Sequence, residues 1–339
     1  MTRLSLAAPP APAGPADPKR YLIPAGVIVL GLAPLLAIDP ITYLVLTVAG
    51  ITMGMLLFLA ASGLTLVFGL LDVLNLAHGA FFVWGAYAGY TVLNLLNAWG
   101  WVETGGMGQN LASLAIALVA ALMVGGLWGF FIERVIVRQV YGDHLKQILI
   151  TMGVSLVMAE IIKVVWGPND EVVLVPQAFV GSYDLWDVVI NKFRVVAIVV
   201  GLMVYGGMEL MLRRTKLGII VRAGVENREV VQALGHNIHR IFTGVFVAGA
   251  ALAAVGGSMW SIFKEQIHPA LGEENLIYAL IVVMVGGMGS VTGCFLGAMI
   301  VGLAFNYVAY LVPTLALGVN IMIMFVILLS RPTGLMGRD

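Results

Sequence analysis

The sequence predicts an all-α integral membrane protein, a polytopic bundle of about 8–10 transmembrane helices with broken or re-entrant segments. Three observations predict it. First, 60% of the 339 residues are hydrophobic and only 11% are charged, with a mean hydropathy of +1.00. A soluble domain carries roughly 25% charged residues, so this chain has too little polar surface to solvate a globule of its length. Second, long runs contain no charge at all: Tyr21–Ile38, Ile41–Leu71 and Asn275–Ser330 span 18, 31 and 56 residues. About 20 apolar residues, rising 1.5 Å each, cross a bilayer. Third, the 41 glycines cluster where membrane helices break or pack closely.

Taken in order, residues 1–20, rich in Ala and Pro, form a disordered tail. Arg20 leads into the first span, 21–38. It is read as uncleaved, because Asp39-Pro40 and no small-residue cleavage site follows Ile38. Further spans are predicted over 41–62, 78–97, 111–132, 147–166, 194–212 and 241–262. The segment 63–77 either continues the second span or breaks it. Two or three more spans lie within 275–330, as three short crossings broken near Gly286–Gly293 and at Pro313, or as one full span and a re-entrant pair. The membrane domain therefore occupies 21–330 and a second tail 331–339.

Basic residues collect in cytoplasmic loops. Of the 18 Lys and Arg, 14 lie in the termini and in loops 133–146 and 213–240. The other connections carry Glu103, Asp170, Glu171, Asp184, Asp187, Glu265, Glu273 and Glu274 against few cations. This alternation predicts both termini, loop 133–146 and loop 213–240 in the cytoplasm. Net charge is zero, which argues against a nucleic-acid partner. The single cysteine, Cys294, can form no internal disulfide and reads as a small packing residue.

The polar residues inside apolar stretches are the candidates for a pathway. Asp72–Gly79 places Asn75 and His78 beside long apolar runs. They are either a satisfied turn at the membrane face or a polar lining. Glu160 and Lys163, three apart on one helix face, either pair structurally or border a substrate site. Gly286, Gly287 and Gly289 mark a break. Gly289, Gly293 and Gly297 carry the four-residue spacing of close helix packing. The chain lacks a phosphate-cradling G-x-x-x-x-G-K-[ST], an H-E-x-x-H, a C-x-x-C and a G-x-S-x-G. No catalytic residue, metal site or bound cofactor is expected. His236 and His239 read as a solvated face. The chain looks like a conduit without its own engine.

Loop 213–240 is the most informative polar segment. Asn227 can cap a helix with Glu229 in its first turn. Val230, Val231 and Leu234 then form one apolar stripe, and Gly235 can end the helix in a left-handed conformation. A short amphipathic helix of this kind docks into a groove on a partner, or lies on the membrane surface.

Glu229–Gly235, read as E-V-V-x-x-x-G, resembles the E-A-A-x-x-x-G coupling motif of ABC importer permeases, with Val230 and Val231 in place of two alanines. Its flanks resemble the LivH type of branched-chain amino acid permease: G-L-T-L-V-F-G at Gly63–Gly69, N-L-A-H-G at Asn75–Gly79, Glu133-Arg134, Arg222-Ala223, Leu234-Gly235, G-A-A-L-A-A-V-G-G at Gly249–Gly257, V-G-G-M-G-S-V-T-G at Val285–Gly293 and R-P-T-G-L-M-G at Arg331–Gly337. The resemblance runs from Leu46 to Gly337; the first span and the Pro-rich tail precede it. It implies a permease subunit in a bacterial inner membrane. Its expected partners are a second similar permease, two cytoplasmic ATPase subunits that use ATP and Mg, a periplasmic binding protein and membrane lipid. The coupling element would comprise Asn227, Glu229, Val230, Val231, Ala233, Leu234 and Gly235. Relatives of this pattern serve branched-chain amino acids, urea, short amides or aromatic acids. A secondary transporter or channel, with Glu160 as its ion-linked residue, is the alternative; a membrane enzyme and a scaffold are weaker ones.

Overall fold

The computed structural model describes residues 33–71, 73, 75–185, 188–226, 231–232, 234–235 and 237–337. The tail 1–20, most of the first predicted span, Asp72, Asn227, Glu229, Val230, Ala233 and His236 lie outside the described residues. Among the described residues ten helices run in chain order: α1 Pro40–Leu71, α2 His78–Asn97, α3 Met107–Val135, α4 His144–Trp166, α5 Lys192–Arg214, α6 Lys216–Glu226, α7 Ile238–Lys264, α8 Leu271–Gly286, α9 Val291–Leu311 and α10 Ala316–Ser330. Seven of these described helices are long and apolar enough to cross a membrane. The protein is therefore a multi-pass, all-α membrane protein.

The second span does not stop at residue 62. α1 continues unbroken to Leu71, because Gly63-Leu64-Thr65-Leu66-Val67 holds no helix breaker stronger than one glycine and packs on α7. The last apolar run resolves into three helices, α8, α9 and α10, separated at Gly287–Ser290 and at Val312–Leu315. Gly287 and Gly289 adopt left-handed φ of 97° and 80°, which no side chain tolerates easily. Pro313 opens the 3-10 turn at the second break.

Two ends of the bundle differ in charge. At the acidic end, strands β1 (Glu171–Val172) and β4 (Gln266–Ile267) pair antiparallel, and the Gln177 amide donates to the Val102 carbonyl at 2.9 Å. Strands β2 (Ser182–Leu185) and β3 (Val188–Asn191) form a hairpin in the same connection. At the basic end, the amides of Leu335 and Met336 donate to the carbonyls of Val285 and Gly286 at 2.9 and 3.0 Å. The C-terminal R-P-T-G-L-M-G stretch thus satisfies carbonyls that the end of α8 leaves open.

α1, α2 and α7 are buried along most of their length, while α3, α4 and α5 turn most residues outward. Glycines let the central helices touch backbone to backbone. A Cβ on Gly63 would run into the Gly249 carbonyl, one on Gly85 into the Ala254 backbone, and one on Gly257 into the Phe82 carbonyl. Around these contacts Phe58, Phe81, Tyr87 and Phe246 are almost fully enclosed.

Candidate functional site

The first candidate is the break between α1 and α2. His78 begins α2, and its imidazole Nε2 donates to the Ala60 carbonyl at 2.8 Å. Ala60 lies 11 residues before the end of α1, roughly 16 Å of helix. α2 therefore starts level with the middle of α1 and not with its end. Asn75 holds this turn by accepting from the Ala77 amide at 3.1 Å, an Asx-turn. The Leu76 amide donates to Thr151 Oγ1 of α4 at 3.1 Å. Asn75 and His78 are each only 2% exposed. Asn75 Nδ2 and His78 Nδ1 have no partner among the described residues. Neither residue lines any of the four cavities described below.

Glu160 takes a different position. It lies on the outward face of α4, its side chain 67% exposed, and pairs with Lys163 at 2.6 Å. The structure does not bring it together with Asn75 and His78.

The second candidate is the Gly286–Gly297 region. Gly293 and Gly297 on α9 face Gly286 and Val282 of α8 so closely that a Cβ on either would meet backbone there. Gly289 sits in the break itself, against Gly69 of α1. Beside it a cavity of about 310 Å³ is bordered by Glu209, Arg213, Ser290 and Thr292. Arg213 Nε pairs with Glu209 Oε1 at 2.6 Å.

The third candidate is the basic connection 215–237. It is already helical before Asn227, which the sequence reading missed. Thr215 Oγ1 accepts from the Gly218 amide at 3.2 Å, an N-cap that starts α6. The expected single stripe of Val231 and Leu234 is split. Val231 is 2% exposed, whereas Leu234 is 72% exposed. The cause is local: Leu234 and Gly235 form a turn, with Gly235 at φ 84° and its amide donating to the Gln232 carbonyl at 2.9 Å. Asn237 then caps α7 by accepting from the Arg240 amide at 3.2 Å. Between α6, α5, α1 and α7 lies an apolar cavity of about 330 Å³.

Just inside this connection, Glu133 is 1% exposed at the last turn of α3. Its carboxylate accepts from Tyr141 Oη at 3.1 Å and from Thr243 Oγ1 of α7 at 2.8 Å. The Glu133-Arg134 pair noted in the sequence thus separates by role: Glu133 joins helices, and Arg134 lies over the Phe130 ring at 5.7 Å.

Two further cavities open at the acidic end and were not foreseen. One of about 380 Å³ lies between α1, α5, α7, α8 and α9, and a neighbour of about 440 Å³ lies beneath the β-strands; Arg194 borders both. Arg194 reads in the sequence only as one loop charge among several.

Comparison with known proteins follows the same outline. Residues 46–328 match the family described as the branched-chain amino acid transport system permease component. The high-affinity branched-chain amino acid transport system permease protein BraD of Pseudomonas aeruginosa is 31% identical over 307 residues, covering 87% of this chain and 96% of its own. The corresponding LivH protein of Escherichia coli K12 is 29% identical over 296 residues, covering 85% and 94%. A probable LivH permease of Methanocaldococcus jannaschii is 26% identical over 298 residues, covering 84% and 89%. No solved structure matches the chain. With a family match across most of its length, this chain belongs to the family of branched-chain amino acid transport system permease components.

Proposed function

We propose that the chain is one of two permease subunits of an ATP-driven importer of branched-chain amino acids in a bacterial inner membrane. The basic end faces the cytoplasm, with both termini and the connections 136–143 and 215–237. The acidic end faces the periplasm, where a binding protein delivers solute. Two cytoplasmic ATPase subunits use ATP and Mg and dock on the connection 215–237; this chain supplies no nucleotide site.

The observation that carries the reading is the split between Val231 and Leu234. One residue anchors the connection in the bundle, and the other offers a large apolar side chain outward, three residues on. Motion imposed at Leu234 passes through the Asn237 cap into α7, and through Thr243 and Glu133 into α3. Two conformations of the bundle, biased by nucleotide on the partner, then alternate access. The secondary-transport alternative rested on Glu160, which is exposed and paired with Lys163.

The test is reconstitution of this chain with its gene-neighbour permease, ATPases and binding protein in proteoliposomes. Leucine uptake is expected only with ATP inside and binding protein outside. Uptake that persists without ATPase subunits would overturn the reading.

A further inference from the structure

The 380 Å³ cavity at the acidic end has a composition unlike the rest of the bundle. Part of its wall is apolar, from Met53 of α1, Trp260 and Phe263 of α7 and Phe305 of α9, with Trp260 the largest ring. Set into that wall are two cations, Arg194 and Lys264, one imidazole, His268, and one carboxylate, Glu274. Two of these groups are already engaged. Lys264 Nζ stands over the Trp260 ring at 5.7 Å, and His268 Nε2 lies 3.7 Å from Glu274 Oε2. Arg194 is partly buried in the first turn of α5 and makes no hydrogen bond or ion pair with any described residue. A guanidinium that gives up part of its hydration without a protein partner is poised for an anion of matching geometry, and a carboxylate fits its planar fork.

A second residue bordering the cavity, Asn275, has a buried atom without a partner among the described residues. Asn275 is 3% exposed; its Nδ2 donates to the Leu271 carbonyl at 2.9 Å, and its Oδ1 has no donor. An orphaned buried acceptor costs free energy unless a ligand supplies the proton. The cavity therefore holds an unpaired cation, an unpaired buried acceptor, a nearby carboxylate and an apolar wall. Its volume lies within the range of small-ligand sites.

We propose that this cavity is a solute site within the permease itself, which takes a zwitterionic α-amino acid with an aliphatic side chain. Arg194 pairs with the solute carboxylate. Asn275 Oδ1 accepts from the ammonium, with Glu274 balancing its charge. The side chain lies against Trp260. The choice of an amino acid rests on the importer reading above; the site itself rests on Arg194 and Asn275. Selectivity is then applied twice, once by the delivering protein and once at the mouth of the conduit.

The test uses the full assembly in right-side-out vesicles and reads occupancy directly. The native Cys294 is fully buried, so a cysteine introduced at Asn306, which borders the cavity, is the one a membrane-impermeant thiol reagent meets. With Asn306→Cys, leucine in excess is expected to slow labelling at least about threefold, as mass action at a filled site requires. Leucinamide, which lacks the carboxylate, is expected to leave labelling unchanged. Adding Arg194→Gln is expected to raise the half-protecting leucine concentration about tenfold or more, the loss of one charge-assisted pair. Ala49→Cys, which borders the same cavity from α1, repeats the measurement should the first variant not assemble. Labelling that leucine does not slow in either variant, or that leucinamide slows equally, would overturn the site. ATP-driven leucine uptake persisting alongside that result leaves the importer reading standing, whereas protection without ATP-driven uptake upholds the site and removes the importer.

Discussion

Thr243 on α7 donates its hydroxyl to Glu133 Oε2 on α3 at 2.8 Å, and the carboxylate that receives it is 1% exposed. A carboxylate buried to this degree needs its hydrogen bonds, and each to a charged group contributes about 1.5–3 kcal/mol. The contact joins the first turns of the helix that leaves the basic connection to the last turn of its neighbour. Thr243→Val keeps the shape and removes the donor. It is expected to lower stability by about 1.5–3 kcal/mol, measured as loss of monodisperse protein on heating in detergent. Thr243→Ser keeps the donor and is expected to retain most of that stability. Equal losses for the two would show that the methyl group, and not the hydrogen bond, holds the helices.

The backbone contacts of α1, α2 and α7 leave no room for a methyl group. Gly257→Ala drives a Cβ into the Phe82 carbonyl, a rigid neighbour. The expected cost is about 1–3 kcal/mol or more, seen as reduced folded yield and earlier thermal aggregation. Gly153→Ala and Gly206→Ala meet nothing within 4 Å. They are expected to leave stability unchanged or to raise it by up to about 1 kcal/mol, since Ala favours helix over Gly. The same chemical change thus divides by position.

That division explains what the sequence could and could not tell. Charge-free runs and left-handed glycines act locally, so the helices and the breaks at Gly287–Ser290 and Pro313 were legible. Burial at a break depends on what stands across from it. Nothing in N-L-A-H-G says that His78 meets Ala60. Leu234 keeps helical spacing from Val231, yet the turn closed by Gly235 sends it outward. Thr215 was a readable cap, since its hydroxyl can accept from the Gly218 amide three residues on. In the sequence Arg194 is one cation of an acidic connection, and only the packing of five helices makes it a cavity wall.

Asp143 caps α4: its Oδ1 accepts from the Lys146 amide at 3.1 Å, and its Oδ2 pairs with Lys146 Nζ at 2.9 Å. The side-chain bond from Lys146, followed by the amide bond, holds the carboxyl below its ordinary value of 3.8. A carboxyl depressed on folding stabilises the fold above its unfolded value, and the contribution fades as pH falls through the folded one. Asp143→Asn keeps a capping side chain without the charge. The stability gap between wild type and this variant is expected to be constant above about pH 5 and to close below about pH 4. A gap that widened on acidification would contradict the assignment.

Leu234 and Val231 offer the sharpest test of the proposed docking of ATPase subunits. Both sit in the connection 231–235, yet one is anchored in the bundle and the other stands clear of it. A charge at Val231 must be buried without a partner, which costs several kcal/mol. Val231→Asp is therefore expected to deplete folded permease from the membrane. A charge at Leu234 costs the isolated fold nothing comparable, because water already reaches the site. Leu234→Asp is expected to leave the protein level unchanged and to cut ATP-driven leucine uptake at least about tenfold, the scale of a lost interface anchor. Leu234→Cys should in addition crosslink to the ATPase subunit, with the buried Cys294 silent. Normal uptake by Leu234→Asp, or labelling of Leu234→Cys by an impermeant reagent from the periplasmic side, would remove this connection as the docking element. Loss of protein in both variants alike would place Leu234 in the bundle's own packing instead.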